Sequence, residues 1–403
     1  MTRTALISGA SVAGPALAYW LHRYGFAVTV VEKAPAVRGG GYPIDVRGAA
    51  LEVVRRMGRY EQLRAADLHM GRMTFVRDDG RRIASVRLDT LGGATGGDTE
   101  LPRGALTELL YDAVRGDVDL RFGDSIAELD DRAGGVDVRF AGGATATYDV
   151  VIAADGLHSN TRRLVFGPEE QFHRYLGHCF AGFGMPNHLG LDHEGVISTA
   201  PGRTAVLYAA GESDRVHGFL SFGRADPPFG AFADPAAQRE LVASVFAGGG
   251  WEVPRMVAAM RTADDLFFDV VSQIRMPSWS RGRVALVGDA AYAPSFLSGQ
   301  GTSIALVGSY LLAGELAATG DHRAAFTAYE RRMRPFAEAN QALADGGGVA
   351  VAPATRRGLW VRNQMLRAAP LIARFGGLGG RVARAKSSLT LPDYAAGAAV
   401  GTS

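Results

Sequence analysis

The chain of 403 residues has little cysteine, little net charge and no long uninterrupted apolar run. It has one cysteine, Cys179, which excludes a disulfide framework and a cysteine-rich metal site and favours a reducing cytoplasm. Lysine and arginine (43) nearly balance aspartate and glutamate (41), and no basic run carries interleaved aromatics, which argues against nucleic-acid binding. No signal segment precedes the first strand, and Gly, Glu or Arg interrupts the longest apolar runs, so we expect no transmembrane segment.

Glycine, by contrast, is abundant, with 53 residues, and several of them belong to a strand–helix–strand pattern near the start of the chain. Residues 4–8, with apolar side chains at 5–7, predict a buried parallel strand. Apolar residues at helical spacing follow over residues 12–24, and a second apolar strand at residues 27–31 ends at Glu32. This βαβ unit is the context that a dinucleotide-binding fingerprint requires.

The first loop of this unit carries the fingerprint with one departure. Gly9 allows a sharp turn out of the strand, and Gly14 lets the helix pack closely on the sheet. The helix N-terminus offers free amides to a pyrophosphate, and Glu32 can accept hydrogen bonds from a ribose. Ser11 stands where the fingerprint has its second glycine, which alters the phosphate site without removing it. A βαβ unit that binds no nucleotide is the alternative interpretation.

Two later strands also end in turns that combine aspartate and glycine. Residues 149–154 predict a buried strand that ends at Asp155, although such a turn is also common for structural reasons alone. Residues 283–287 predict another strand, followed by Asp289 and a glycine-rich loop at residues 299–302. The Asp289 carboxylate could bond the hydroxyls of a ribityl chain, and the amides after the loop could face the pyrimidine edge of a flavin. A plain strand–loop–helix crossover is the alternative.

In their order and spacing, these three motifs resemble those of the class A flavin-dependent monooxygenases, which share the fold of p-hydroxybenzoate hydroxylase. The resemblance covers roughly residues 1–335 and extends to the type that inactivates tetracyclines and lacks a thioredoxin-like extension. It implies an α/β fold in which a Rossmann-like FAD-binding domain is interleaved with a β-sheet substrate domain, followed by C-terminal helices. The implied boundaries are residues 1–70, 100–170 and 270–335 for the FAD-binding domain, 71–99 and 171–269 for the substrate domain, and 336–403 for the helical segment.

The resemblance assigns cofactor roles to further residues. Arg103 matches an arginine that contacts the flavin nucleotide, and Arg38 matches a basic position near the flavin loop. The implied FAD-binding residues are Gly9, Ser11, Val12, Ala13, Gly14, Glu32, Lys33, Arg38, Arg103, Asp155, Gly156, Gly288, Asp289, Gly299, Gln300, Gly301 and Thr302. Two departures predict a flavin-facing loop of a different shape: Tyr292 stands where the family usually has histidine, and residues 294–298 contain no Pro-Pro pair.

The chemistry that the resemblance implies is a cytoplasmic monooxygenation. FAD is reduced by NADPH or NADH, a transient co-substrate, and O2 then attacks flavin C4a to give a hydroperoxide. This intermediate would hydroxylate, epoxidise or insert oxygen into an aromatic or polycyclic small molecule, such as a natural product or antibiotic. Asp155 and Gly156 are the implied contacts for the nicotinamide pyrophosphate, and we predict no catalytic acid or base and no metal site. A flavin dehydrogenase or reductase, or a non-enzymatic binding protein of the same fold, is the alternative, and we expect a monomer or homodimer.

The substrate is expected on a sheet built mainly from residues 172–269. Two strand-like segments at residues 204–208 and 216–222 alternate with period two, which places His217 and Phe219 on one face. We hypothesise that this face looks toward the flavin; the alternative is that these are ordinary sheet-packing side chains. The predicted substrate residues are Arg203, Tyr208, His217, Phe219, Pro294 and Phe296.

Overall fold

A computed structural model describes residues 2–37, 39, 42–87, 98–209, 213–228, 234–345, 353–373 and 388–394. The strands are β1 (Thr4–Ser8), β2 (Ala27–Glu32), β3 (Pro43–Val46), β4 (Arg72–Val76), β5 (Arg82–Arg87), β6 (Thr99–Pro102), β7 (Asp119–Phe122), β8 (Ile126–Arg132), β9 (Gly135–Phe140), β10 (Thr145–Tyr148), β11 (Val150–Ala153), β12 (His173–Pro186), β13 (Glu194–Ala200), β14 (Arg203–Tyr208), β15 (Arg215–Gly223), β16 (Phe267–Ile274), β17 (Ser280–Arg281) and β18 (Val284–Leu286). The helices are α1 (Ala13–Arg23), α2 (Ala49–Arg56), α3 (Tyr60–Ala65), α4 (Arg103–Asp112), α5 (Asn160–Phe166), α6 (Pro235–Phe246), α7 (Val253–Thr262), α8 (Asp289–Tyr292), α9 (Gly301–Ala318), α10 (His322–Gln341) and α11 (Arg356–Ala373).

A six-stranded sheet with the order β17-β18-β11-β1-β2-β7 joins the segments that carry the three motifs. All of its strands are parallel except β17, which pairs antiparallel with β18. Strand β1 is apolar along most of its length because both of its faces are covered. Ala5 and Ile7 share a core with α1 and α9, and Leu6 shares one with the three-stranded sheet β10-β9-β8. The carboxyl ends of β2, β1, β11 and β18 therefore meet at one edge, and the predicted α/β fold is confirmed.

Helix α9 lies in the core against α1, α2 and α10. Its residues are buried without a break from Ser303 to Leu316, as expected for a helix that has no polar face. Its length and hydropathy would suffice to cross a membrane, but 78% of that stretch is buried inside the protein, as in the core helix of a globular fold. The Ser309 hydroxyl donates to the carbonyl of Ala13 at 2.9 Å and so joins α9 to the start of α1.

A second sheet, of seven strands, has the order β16-β12-β15-β14-β13-β4-β5. One of its faces packs on α6 and α7, where Leu207 and Phe222 share a core with Val242 and Met256. Strands β4 and β5 extend this sheet at one edge, whereas the nearby β6 pairs with β3 in a separate two-stranded ladder. The second face is therefore free to form the wall of a cavity.

Two of the sequence-based boundaries fall inside continuous elements. Strand β16 runs through the boundary at residues 269 and 270, because its pairing with β12 continues as far as Ile274 opposite His173. Helix α10 runs through the boundary at residues 335 and 336 with Pro335 in its interior. The C-terminal helical segment therefore has no separate start at residue 336, and α11 packs instead against β5 and β13 of the seven-stranded sheet.

Candidate functional site

The loop between β1 and α1 is fixed by close backbone packing. Gly9 has a φ of +106°, and a Cβ there would lie 2.5 Å from the carbonyl oxygen of Ala154. A Cβ at Gly14 would overlap the carbonyl oxygen of Gly9. Both positions therefore require glycine, and they hold the loop against the end of β11. No side chain caps the start of α1, so the amides around Val12 and Ala13 are available to a phosphate group.

Side chains around this loop suit an anionic nucleotide with a ribose. Arg103 donates from Nη2 to the hydroxyl oxygen of Ser11 at 2.9 Å, so the serine that replaces the second glycine holds a cation beside the loop. Glu32, at the end of β2, accepts hydrogen bonds from the amides of Ala10 and Ala34, each at 2.8 Å. These two bonds fix the orientation of its carboxylate at the edge of the sheet.

The turn after β11 uses Asp155 to build the next helix. The Asp155 carboxylate accepts from the amide of Thr161 at 2.9 Å, from the Thr161 hydroxyl at 2.8 Å, and from the Ser159 hydroxyl. Ser159 in turn caps α5 by accepting from the amide of Arg162 at 2.9 Å. Gly156 has a φ of +83°, and no described heavy atom lies within 4 Å of the place that a Cβ would take. The accessible side of this turn is therefore at Gly156 rather than at the Asp155 carboxylate.

The turn after β18 places Asp289 beside the loops that follow β1 and precede α9, and the space at the carboxyl edge of the sheet between these loops is called the groove below. Gly288 has a φ of +66°, and a Cβ there would lie 3.1 Å from the Cβ of Ala13, so this turn lies against the first loop. The Asp289 carboxylate faces the solvent of the groove, but protein surrounds it on most sides. This burial raises the pKa of Asp289, the Arg103 guanidinium lowers it, and the Asp269 carboxylate raises it further.

The loop before α9 presents hydrogen-bond donors at the same groove. Gln300 is 2% exposed, and its Nε2 has no hydrogen-bond partner among the described residues. Gly299 has the left-handed φ of +61°, and no side chain caps the N-terminus of α9, where Gly301 and Thr302 lie. A buried amide donor and the free amides of a helix N-terminus suit a ligand edge with acceptor atoms and negative charge.

An apolar cavity of about 220 Å³ lies between this loop and the second face of the seven-stranded sheet. Alternate residues of β12, β14 and β15 supply one wall, and the loop before α9 supplies the other. The lining residues from the sheet are Phe180, Thr204, Val206, Tyr208, Phe219 and Ser221, and those from the loop are Phe296 and Leu297. The Phe296 ring stacks on the Phe180 ring, with centroids 4.6 Å apart. Its aromatic lining therefore suits an apolar or aromatic ligand.

Tyr42 contacts residues of this cavity and is also close to residues of the predicted FAD site. Its ring centroid lies 6.2 Å from that of Phe219 and 5.7 Å from that of Phe296. On its other side, Tyr42 is close enough to Arg103 and Asp289 for both charges to affect its pKa, which burial raises. Tyr42 could not be predicted as a site residue, because a single tyrosine before a short strand carries no local signal of such a contact.

The same fold and loops occur in proteins of known class. Residues 2–176 match a family model described as an FAD binding domain. A flavin-dependent monooxygenase from an unknown prokaryotic organism is 37% identical over 398 residues, which cover 98% of this chain and 99% of that protein. The chain belongs to the flavin-dependent monooxygenases.

Other members of this family are similar over most of their length. The FAD-dependent monooxygenase asL6 of Sarocladium schorii is 33% identical over 371 residues, which cover 86% of this chain and 88% of that protein. The crystal structure of tetracycline destructase Tet(55) superposes with a TM-score of 0.84 at 36% identity, covering 98% of this chain and 99% of that chain. The predicted class A family and FAD as the cofactor are therefore confirmed at the level of the family.

In this monooxygenase, the three predicted FAD loops converge on one groove, and the individual contacts of their residues with FAD stay predictions. Lys33 is the predicted residue that stands apart, since its side chain is exposed to solvent beyond Glu32. Arg38 lies outside the described residues. Arg162, which follows the predicted nicotinamide contacts Asp155 and Gly156 in the chain, is fully buried.

Three of the predicted substrate residues line the cavity, whereas the prediction for Arg203 is wrong. Tyr208, Phe219 and Phe296 are lining residues. Arg203 lies an odd number of positions from Tyr208 on β14, so it points to the opposite face of the sheet. There its Nη1 donates to the carbonyl of Val245 in α6 at 2.7 Å, and it cannot reach the cavity.

The two remaining predicted residues lie near the cavity without lining it. His217 is opposite Tyr208 in the β14–β15 ladder, but it lies beyond the cavity beside Arg215 and Asp265. Pro294 is buried, and its carbonyl accepts a hydrogen bond from Gln273 at 3.2 Å. Its role is therefore to fix the loop that carries Phe296.

The tyrosine that replaces the family histidine belongs to the core of this monooxygenase. Tyr292 is 1% exposed, its ring centroid lies 4.6 Å from that of Trp279, and its hydroxyl accepts from the Tyr329 hydroxyl at 3.0 Å. It therefore points away from the groove rather than over a bound flavin. Gly308 makes room for it, since a Cβ there would overlap the Tyr292 hydroxyl oxygen.

Gly308→Ala is therefore expected to lower the free energy of unfolding by about 1–3 kcal/mol, as overpacking of a dense core does. In the double variant with Tyr292→Phe, the hydroxyl oxygen is absent, and we expect part of this loss to be recovered. Denaturant unfolding of the wild type, both single variants and the double variant measures the coupling. If the losses of unfolding free energy in the two single variants simply add up in the double variant, the contact between position 308 and the Tyr292 hydroxyl is contradicted.

Proposed function

We propose that the chain uses FAD and NADPH or NADH to insert one oxygen atom of O2 into an aromatic or polycyclic small molecule, most simply as a hydroxylation. When bound, FAD supplies the activation of O2 and the transfer of oxygen to the substrate. The observation that carries the proposal is the aromatic-lined cavity, whose Phe219 and Phe296 contact the ring of Tyr42, a residue that is itself close to Arg103 and Asp289 in the predicted FAD site. We further propose a cytoplasmic enzyme that is a monomer or homodimer.

Four groups of this chain are proposed to hold FAD. The free amides of α1 take the pyrophosphate, and Arg103, held by Ser11, lies beside them. Glu32 takes the adenosine ribose, because backbone amides already orient its two oxygens. Asp289 takes the ribityl hydroxyls in the groove. The unpartnered Nε2 of Gln300 and the start of α9 take the pyrimidine edge of the flavin.

The seven-stranded sheet is proposed as the substrate domain. Its cavity offers the rings of Phe180, Phe219 and Phe296 to a planar ligand. Because the cavity has few polar lining groups, it holds few sites for water. Because Tet(55) is named a tetracycline destructase, we propose a polycyclic compound of that general kind as the substrate class. We propose that the nicotinamide cofactor binds transiently at the accessible turn around Gly156.

The experiment that tests this function is oxygen incorporation by the purified, FAD-loaded protein. NADPH and NADH oxidation are measured with a panel of aromatic and polycyclic compounds, and products are formed under labelled O2. We expect substrate-stimulated NAD(P)H oxidation and one labelled oxygen atom in the product. An unlabelled product formed with reduction of an added electron acceptor would point to a flavin dehydrogenase instead.

Phe219→Ala is expected to raise the KM of such a substrate by roughly 10-fold or more, because a buried aromatic contact is lost. The ring lines the cavity, and its centroid lies 6.2 Å from that of Tyr42 and 6.4 Å from that of Phe296. His217→Ala is the matched comparison on the same face of β15, and we expect its KM to stay within about 3-fold of the wild type. Steady-state NAD(P)H oxidation measures both values. A larger increase in KM at His217 than at Phe219 would show that the substrate binds outside this cavity.

A further inference from the structure

A carboxyl group lies at one end of the otherwise largely apolar cavity. Glu100, in β6, is the one acidic side chain among the described lining residues. The ladder of β3 and β6 places it directly opposite Asp45. Like charges in this relation destabilise an antiparallel pair. The folding of this ladder therefore gains nothing from Glu100, and a role in ligand binding is the better explanation.

Among the described residues, three carboxyl groups and two arginines surround this end of the cavity. Asp45 pairs with Arg47 at 2.6 Å, and Asp67 pairs with Arg64 at 3.0 Å. Glu100 is a third carboxyl beside these two pairs, so its ionisation adds one negative charge that they do not balance. Burial raises the pKa of Glu100 to about 7; Asp45 and Asp67 also raise it, while Arg47 lowers it.

Tyr208 lies behind this carboxyl. The tyrosine is 7% exposed, and its hydroxyl lowers the pKa of Glu100. The hydroxyl is next to the carboxyl without reaching full hydrogen-bond geometry, and it has no other partner among the described residues. Because this oxygen is shielded from solvent, Tyr208 orients the carboxyl and Glu100 is the group that a ligand would meet.

We propose that Glu100, oriented by Tyr208, anchors a basic nitrogen of the substrate, which binds in the cavity as an ammonium ion. A largely buried carboxylate beside two further carboxylates gains from a cationic ligand, and the rings of Phe180 and Phe219 in the same cavity also favour one. The inference rests on the proposed function, because it names the class of compound that the same cavity takes: aromatic or polycyclic amines.

The test compares 1-naphthylmethylamine with its uncharged analogue 1-naphthylmethanol, each titrated into the FAD-loaded protein and followed by the flavin absorbance spectrum. At a pH of about 8 we expect the wild type to bind the amine roughly 10- to 100-fold more tightly, as a hydrogen bond to a charged group predicts. In Glu100→Gln this preference should fall below about 3-fold. Glu61→Gln, at an exposed position of α3, is the matched control and should keep the wild-type preference.

The pH dependence separates an anchoring role from a structural one. Glu100 is ionised above its pKa, so the amine affinity of the wild type should rise as the pH increases through about 7, while the affinity for the alcohol stays constant. Tyr208→Phe should shift this rise to higher pH, because the hydroxyl that lowers the pKa of Glu100 is gone. A structural role for Tyr208 would weaken both ligands equally and leave the pH profile in place.

Two outcomes distinguish this inference from the proposed function. Equal affinity of the wild type for the amine and the alcohol, with FAD bound, overturns the ammonium site and leaves the monooxygenase function untouched. Retained amine preference without oxygen incorporation overturns the function and supports the site. The flavin spectrum reports the folding of each variant. Glu100→Gln removes one of two like charges that face each other in the β3–β6 ladder, so we expect this variant to fold.

Discussion

Replacing Gly14 with alanine is expected to abolish most FAD binding. The new Cβ would overlap the carbonyl oxygen of Gly9. Gly9 has no room to shift, because it already packs against the carbonyl of Ala154. Relief therefore requires the first turn of α1 to move, at a cost of about 1–3 kcal/mol, and the amides proposed for the pyrophosphate move with it. We expect a nearly colourless protein whose Kd for FAD is raised roughly 100-fold or more, measured by titration with FAD.

Gly116→Ala is the matched control for this substitution. Gly116 is exposed, and no described heavy atom lies within 4 Å of the place that its Cβ would take. We expect this variant to bind FAD as the wild type does. Circular dichroism of the Gly14→Ala protein separates loss of the site from loss of the fold. Wild-type FAD affinity in Gly14→Ala would contradict the proposed pyrophosphate site.

The parts of the fold that local chemistry dictates could be predicted from the sequence. Strand β1 has the bounds predicted for it, residues 4–8, and its central residues are apolar because a parallel strand covered on both faces buries side chains on both. Helix α5 begins directly after Ser159, and a serine in that position is a local signal for a helix start, since its side chain caps the first turn. The turn glycines at Gly9 and Gly288 have the positive φ values that made glycine necessary there. Each of these signals lies within a few residues of the feature it marks.

Contacts between distant segments could not be predicted in this way. Glu100 reaches the cavity because β6 pairs with β3, more than fifty positions earlier in the chain, and the printed sequence contains no signal for that pairing. Tyr42 could not be predicted for the same reason. The error at Arg203 is of another kind, since period-two alternation already separates it from Tyr208. Consistent use of the alternation would have removed it from the predicted site.

Replacing Arg162 with methionine is expected to lower the free energy of unfolding by roughly 3 kcal/mol. Arg162 is fully buried, and its Nη2 donates to the carbonyl of Leu157 and to Oε2 of Glu169, each at 2.7 Å. Its Nη1 donates to the carbonyl of Ala290 at 3.1 Å. Methionine fills similar space without donors, so two carbonyls and a carboxylate lose a partner. The figure is at the low end for a broken buried pair, because Glu169 is partly exposed and keeps His158 at 2.7 Å.

The bond from Arg162 to Ala290 gives this substitution a second effect, on the cofactor. Ala290 directly follows Asp289, so Arg162 joins the turn of the second motif to the helix that carries the third. We therefore expect Arg162→Met to weaken FAD binding as well as the fold. Arg163→Met is the control: its side chain is exposed on the same helix, and we expect a change within about 0.5 kcal/mol. Thermal unfolding with and without FAD measures both effects. Equal stabilisation of Arg162→Met and wild type by FAD would show that the two motifs are not coupled through this guanidinium.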